Sequence, residues 1–111
     1  MYSKDDLLCF NILESVNRII EFTKDARNVE EFHNDHKGYD ATIMNFIVIG
    51  EMTGKLSDEF KEGYPEIEWH KLYGFRNILA HNYFGINRPV VWDIIQNHIP
   101  ELKIQIEKIL N

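Results

Sequence analysis

The chain has 111 residues, of which 44% are hydrophobic and 27% are charged, and its formal net charge is −6. Length and composition predict one globular domain over residues 1–111. The sequence shows neither a long apolar run nor a basic start followed by an apolar leader, so we expect a cytoplasmic protein outside the membrane. The acidic balance argues against a constitutive DNA- or RNA-binding protein, but it leaves room for brief contact with RNA through a small local basic site.

The first predicted helix runs from about Lys4 to Lys24, where apolar residues recur at steps of three and four. Ser3, followed by Asp5 and Asp6, is a suitable helix start, because a serine oxygen and early negative charge both satisfy free backbone N–H groups. Cys9 is the only cysteine, so no internal disulfide can form. It falls on the apolar side of the helix and is predicted to be a buried small residue rather than a nucleophile.

The segment after the first helix contains a short predicted turn of helix, Val29–Phe32, with Asn28 as its cap. His33 and His36 follow in the sequence HNDHKG, with Asp35 between them. Two histidines and a carboxylate at this spacing could bind a metal ion. Since this stretch is predicted to be a loop and lacks a clear further ligand, we expect solvated loop residues and no metal site.

The second predicted helix begins at residue 39 or 40 and runs to about residue 61. Its middle, residues 43–49, is apolar almost all round, so it must be covered on more than one face, and one cover could be a second copy of the protein. Gly50 and Gly54 form a smooth strip that favours close approach of another helix. The acidic stretch 57–62 is expected to be a solvated face, with contact to a basic partner as the alternative.

Two more helices complete the predicted fold. Gly63-Tyr64-Pro65 ends the second helix, and the third covers about Glu68–Asn82. Pro89 is placed in the first turn of the fourth helix, where proline is tolerated. Pro100 lies inside the same apolar pattern and should kink this helix near residues 96–99. The predicted fold class is therefore all-α, an up-and-down bundle of four to five helices with short loops.

The third predicted helix carries the polar residues of RNILAHNY, residues 76–83. On a regular helix Arg76 and His81 are about 140° apart in rotation and about 7.5 Å apart along the axis, so they do not share a face. Asn77 and His81, four residues apart, do share one. Arg76 and His81 can therefore converge on one ligand only if the helix bends, the arginine wraps round it, or two chains combine their motifs across a two-fold axis.

A two-chain site would suit metal-free RNA cleavage, which needs a base for the 2′-hydroxyl and an acid for the leaving oxygen. Two histidines, one from each chain, could fill both roles, and Arg76 would supply a charged donor fork for a phosphate. Asn77 could orient the imidazole or bind a phosphate oxygen. The plainer alternative is that His81 and Tyr83 are helix-end residues with local hydrogen bonds.

The other candidate residues favour ordinary structural roles. Four aromatic residues flank the motif and could stack on a base, but their helical spacing favours core packing: Trp69, Tyr73, Phe75 and Phe84. His70 and His98 are expected at exposed helix positions.

The spacing Arg76-x4-His81-x-Tyr83 resembles the signature of the HepT-like toxins, a branch of the HEPN superfamily (higher eukaryotes and prokaryotes nucleotide-binding). The stretches YDATIMNFIVIGEMTGKLSDEF, YPEIEWHKLYGFRNILAHNYFGIN and VVWDIIQNHIPEL resemble the family in the same order. The likeness covers nearly the whole chain, from about Leu8 to Leu110.

This resemblance implies an all-helical homodimer whose two motifs line a cleft at the interface. It implies a metal-independent endoribonuclease without a cofactor, the toxin of a type II- or type VII-like toxin–antitoxin module. Arg76 and His81 would be the catalytic pair, and Asn77 the accessory polar residue. The partner would be an MntA-type nucleotidyltransferase antitoxin, which silences the toxin by attaching AMP to Tyr83. The alternative is a non-catalytic, nucleotide-binding or scaffold subunit of a nucleotidyltransferase complex.

Overall fold

A computed structural model describes all residues, 1–111, and contains helices but no strand. The helices are α1 Lys4–Thr23, α2 Val29–Asn34, α3 His36–Lys55, α4 Asp58–Glu62, α5 Trp69–His81, α6 Arg88–Asn97 and α7 Ile99–Leu110, with a 3₁₀ turn at Tyr83–Gly85 between α5 and α6. The prediction of an all-α fold is confirmed. Five of the seven helices have ten residues or more, and the two short ones are α2 and α4.

The core forms where α1 packs against α3 and α7, and α3 in turn packs against α5. Nineteen buried hydrophobic residues make up this core. Cys9 is fully buried among them, as predicted, and burial together with the charges of Asp6 and Asp5 raises the pKa of its thiol to about 12. The thiol therefore stays protonated at neutral pH, which suits a packing role. None of the helices is long and apolar enough to span a membrane.

Local caps set the starts of the first helices. The Ser3 side chain accepts from the backbone N–H of Asp6, and the Asp6 carboxylate accepts from the N–H of Ser3 at 3.1 Å, so a complete capping box begins α1. Asn28 caps α2 as predicted, by accepting from the N–H of Glu31 at 2.9 Å. Helix α3 begins at His36, earlier than predicted, because Asp35 accepts from the N–H of Gly38 at 3.2 Å.

The prediction that the second helix continues to residue 61 is wrong. Helix α3 ends at Lys55, Leu56 is buried in extended conformation, and Ser57 caps the separate helix α4. The break is held by α1, since the Asp5 carboxylate accepts from the backbone N–H of Ser57 at 2.9 Å and from its hydroxyl at 2.7 Å. A contact between distant parts of the chain thus ends a helix that the local pattern would continue.

Pro89 lies in the first turn of α6, as predicted. Pro100 was expected to kink one continuous helix, but the helix is interrupted there. The fourth predicted helix is broken at His98, and Pro100 sits in the first turn of α7. Proline is tolerated there because the first helical N–H groups have no partner within the helix. His98 is exposed, as expected, and so is His70 on α5.

Close packing of α3 on α5 confirms the role predicted for the two glycines. A Cβ at Gly50 would overlap the Cβ of Arg76, and a Cβ at Gly54 would lie 2.7 Å from the Tyr73 ring. The absence of side chains at these positions lets α5 approach α3 closely, and this approach brings Arg76 onto α3.

Candidate functional site

Arg76 lies at the contact between α3 and α5, where its guanidinium is held by two neighbours. It forms an ion pair with Glu51 of α3 and donates from Nη1 to the side-chain oxygen of Asn77 at 2.8 Å. Its Nε is buried without a hydrogen-bond partner. These contacts restrict the arginine to one orientation. Asn77 contacts Arg76 rather than His81, so it orients the arginine in this structure.

His81 is the last residue of α5, and its side chain is exposed. It takes part in none of the side-chain hydrogen bonds or ion pairs of the chain, unlike Arg76. The expected geometry of the motif is therefore observed, with Arg76 turned towards α3 and His81 open to solvent. No hydrogen bond or ion pair joins the two residues within one chain. The imidazole is therefore accessible from solvent.

Tyr83 begins the 3₁₀ turn that follows α5, and its hydroxyl donates a hydrogen bond to Asp40 of α3. This partner is 43 positions away, so the idea of a purely local, helix-end role does not hold for Tyr83. The hydrogen bond to Asp40, followed by partial desolvation and the Asp40 charge, raises the pKa of Tyr83 above its usual value. Asp40 thus keeps the hydroxyl protonated and fixed at the end of the motif.

The Asp40–Tyr83 contact leads to a direct prediction. In Asp40→Asn the pKa of Tyr83 should fall towards about 10, the usual value for tyrosine, because the carboxylate that favours the neutral phenol is gone. The stability that this hydrogen bond contributes is full below the pKa of unfolded tyrosine and is lost as the pH rises through the higher folded-state pKa. Titration of ¹³Cζ-labelled tyrosine by NMR measures the shift, and Tyr83→Phe assigns the signal. An unchanged Tyr83 pKa in Asp40→Asn would contradict this role of Asp40.

Comparison with known proteins connects this geometry to a family. The family model described as ribonuclease HepT-like matches residues 12–109, which include α5 and the whole motif. The chain belongs to the HepT-like ribonuclease family. No solved structure is significantly similar to it.

Relatives from archaea and bacteria are similar over almost their full length. The chain is 39% identical over 107 residues to "Putative RNase MJ1380" of Methanocaldococcus jannaschii, covering 95% of this chain and 97% of the relative. It is 34% identical over 100 residues to "Putative RNase TTE0752" of Caldanaerobacter subterraneus, covering 90% and 88%. It is 35% identical over 99 residues to "Probable ribonuclease HepT" of Thermococcus cleftensis, covering 89% of each chain.

Around the motif of this HepT-like chain, the structure adds two acidic partners that the sequence pattern did not single out. Glu51 and Asp40 both lie on α3 and contact Arg76 and Tyr83 respectively. A charged residue two positions after the apolar run 43–49 was the available signal for Glu51. Nothing in the local pattern marked Asp40, because its partner comes from a distant turn.

The flanking aromatic residues divide into core and surface. Trp69 is buried and Phe75 packs edge-on against Phe46, with ring centroids 5.3 Å apart, so the core prediction is confirmed for these two. It is wrong for Phe84, which is 99% exposed, and Tyr73 remains partly exposed over Gly54. Phe84 follows directly on Tyr83, where no helix packs over it.

His33 and His36 were expected in a loop, and this expectation is wrong. His33 lies in α2, and His36 is the first residue of α3. Their ring centroids are 6.1 Å apart. The exposed acidic residues of the 57–62 stretch agree with a solvated face, although Phe60 turns inward and packs against Tyr64.

Proposed function

We propose that this HepT-like protein is a metal-independent endoribonuclease acting in the cytoplasm, and the toxin component of a toxin–antitoxin module. The observation that carries the proposal is the contrast within one motif. Arg76 is held rigidly by Glu51 and Asn77, whereas His81 is exposed and unbonded. A fixed cation suits the charge on a phosphate in the transition state, and a free imidazole suits proton transfer. The ribonuclease names of relatives point to the same chemistry.

The proposed active site lies between two copies of the chain. One histidine per chain cannot serve as base and acid in the same step, whereas two histidines across a two-fold axis can. Apolar side chains next to the motif support this arrangement, since Met44 on α3 is 58% exposed and Ile78 on α5 is 61% exposed. Pairing of two chains over this surface would cover both residues and bring the motifs together.

The proposed partner is an MntA-type nucleotidyltransferase antitoxin that attaches AMP to Tyr83. The attached group would add negative charge and bulk two residues from His81, and so would repel and block an RNA phosphate. The partial exposure of the Tyr83 ring is compatible with access by such an enzyme.

Incubation of the purified protein with RNA in EDTA tests the proposal. Cleavage is expected, because no step requires a metal ion. Expression with and without an MntA-type nucleotidyltransferase, followed by growth measurement and intact-mass spectrometry, tests the antitoxin. Intact RNA together with unaffected growth would contradict the nuclease and would favour the non-catalytic, nucleotide-binding or scaffold subunit.

The ion pair of Arg76 yields a further prediction. Glu51→Gln should lower the rate of RNA cleavage, because Arg76 loses the partner that fixes its guanidinium. The unfolding free energy should change by less than about 1 kcal/mol, since both side chains are partly exposed and the pair is screened by water. Single-turnover cleavage and urea unfolding measure the two effects.

Glu14→Gln is the matched control, because Glu14 pairs with Arg18 on the surface of α1 at 2.6 Å. It removes the same charge and the same type of ion pair away from the motif. Equal cleavage rates in Glu51→Gln and Glu14→Gln would show that Glu51 does not position Arg76.

A further inference from the structure

A cleft of about 400 Å³ lies beside the motif, between α2, the start of α3 and the stretch from the turn after α5 to the first residue of α6. Basic and aromatic side chains from all three parts line it: His33, His36, Tyr83, Phe84 and Arg88. The catalytic pair Arg76 and His81 does not line this cleft. Tyr83, which lines the cleft, comes two residues after His81, so the backbone between these two residues spans at most about 7 Å.

Arg88 is the free cation of this cleft. The protein has four arginines, and the other three form ion pairs with Glu14, Glu31 and Glu51. Arg88 has no such partner, although acidic residues outnumber basic ones in the chain by 18 to 12. An arginine left unpaired in an acidic protein is available for an external anion.

The two histidines share this electrostatic environment. The pKa of His33 is lowered, first by partial desolvation, then by the charge of Arg88 and then by that of His36. The three side chains are therefore close neighbours. Each imidazole offers at least one N–H donor whatever its charge. The one acidic residue that lines the cleft, Asp40, already accepts the hydrogen bond of Tyr83. Asp40 keeps its negative charge, but this oxygen is already engaged by Tyr83, so what the cleft offers a ligand is the donor groups of Arg88, His33 and His36.

Phe84 adds an aromatic surface at the rim of the cleft. Its side chain is 99% exposed, and the neighbouring Tyr83 ring meets it edge-on, with centroids 5.4 Å apart and planes at 88°. The flat face of the Phe84 ring is thus open to solvent. Proteins that bind single-stranded nucleic acid combine such exposed rings, on which bases stack, with cations that contact the backbone.

From this combination we propose that the cleft is a phosphate-binding subsite for single-stranded RNA. Arg88 contacts a phosphodiester close to the scissile bond, His33 and His36 donate to the same phosphate, and the adjacent base stacks on Phe84. This inference deepens the proposed ribonuclease function and rests on it for the identity of the ligand. It also supplies a local arginine contact through which a protein of net charge −6 can hold RNA.

Binding of a fluorescein-labelled 2′-O-methyl oligoribonucleotide of mixed sequence, measured by anisotropy in EDTA, tests the subsite. This probe lacks the free 2′-hydroxyl, so it stays intact even with an active nuclease. Arg88→Gln should weaken binding roughly tenfold, as expected for loss of a charged hydrogen bond. The slope of log K against log salt should become shallower by about 0.7, the value for one phosphate contact on a single strand.

Arg18→Gln is the matched control, because it removes the same charge from the surface of α1 and should leave both affinity and slope unchanged. Phe84→Ala should weaken binding between about 5-fold and about 100-fold without changing the salt slope. Phe22→Ala, which removes another exposed phenylalanine from α1, should have no effect. Circular dichroism verifies that each variant is folded.

The outcomes separate this subsite from the nuclease. If RNA stays uncleaved but the oligonucleotide still binds in an Arg88-dependent way, the nuclease proposal is contradicted and the subsite is supported. Equal affinity of Arg88→Gln and Arg18→Gln, or no binding of the oligonucleotide at all, would overturn the subsite. Arg88-dependent binding of free AMP without binding of the oligonucleotide would assign the cleft to a mononucleotide and overturn the RNA proposal. Loss of dimer in Phe84→Ala with unchanged RNA affinity would overturn the stacking role.

Discussion

His81→Ala is expected to lower the rate of RNA cleavage in EDTA by about 10²- to 10⁴-fold, the usual contribution of a general acid or base. The imidazole is exposed and makes no bond within the chain, so its removal should leave stability nearly unchanged. His70→Ala is the matched control, because His70 is also exposed on α5 and should be dispensable. Equal cleavage by wild type and His81→Ala would contradict the catalytic role.

Mixed dimers extend this test to the two-chain site. When a tagged wild-type chain is paired with a His81→Ala chain, cleavage should fall as far as in the double variant, because one histidine cannot serve as both base and acid. Retention of one working site per mixed dimer would show that each motif acts alone. The measurement requires purification by two different tags and single-turnover kinetics.

Gly50→Ala is expected to destabilise the protein by about 1–3 kcal/mol, the usual cost of overpacking. The added Cβ would overlap Cβ of Arg76 and would lie 3.1 Å from the backbone oxygen of Leu72, so α5 has to move away from α3. The gain in helix propensity from glycine to alanine, about 1 kcal/mol, offsets only part of this cost. Cleavage should also fall, because the movement displaces Arg76 from Glu51.

Gly74→Ala provides the matched control on the partner helix. A Cβ at Gly74 meets nothing within 4 Å, so only the propensity gain remains, and the protein should be stabilised by about 0.4–1 kcal/mol. Urea unfolding monitored by circular dichroism measures both variants. Effects of the same sign in Gly50→Ala and Gly74→Ala would contradict the assigned close packing at Gly50.

The helices themselves were largely predictable, because their signals lie within a few residues of one another. The apolar steps of α1 and the caps at Ser3 and Asn28 operate over three or four positions. The separation of Arg76 and His81 within the motif was predictable for the same reason, since helical rotation alone places them on different faces. Family likeness then connected the chain as a whole to the HepT-like ribonucleases.

The errors arose where a distant contact overrode the local pattern. The helix predicted to reach residue 61 ends at Lys55, because Asp5 binds Ser57 across 52 positions. Phe84 is a large apolar residue of the kind usually found in a core, but no helix packs on the turn that carries it, and its side chain is exposed. The exposure of Phe84 could not be read from neighbouring residues, whereas Ser57, as the cap of α4, was a local signal for the break.

The sequence by itself determined the helical class of this protein and the rotational separation of Arg76 and His81, because both follow from backbone geometry and short-range spacing. Only the tertiary structure decided what these side chains contact. Close approach of α5 to α3 at Gly50 brings Arg76 to Glu51, and the turn after α5 brings Tyr83 to Asp40. The physical reason is that such partners are chosen by packing between helices distant in the chain, which no local spacing encodes.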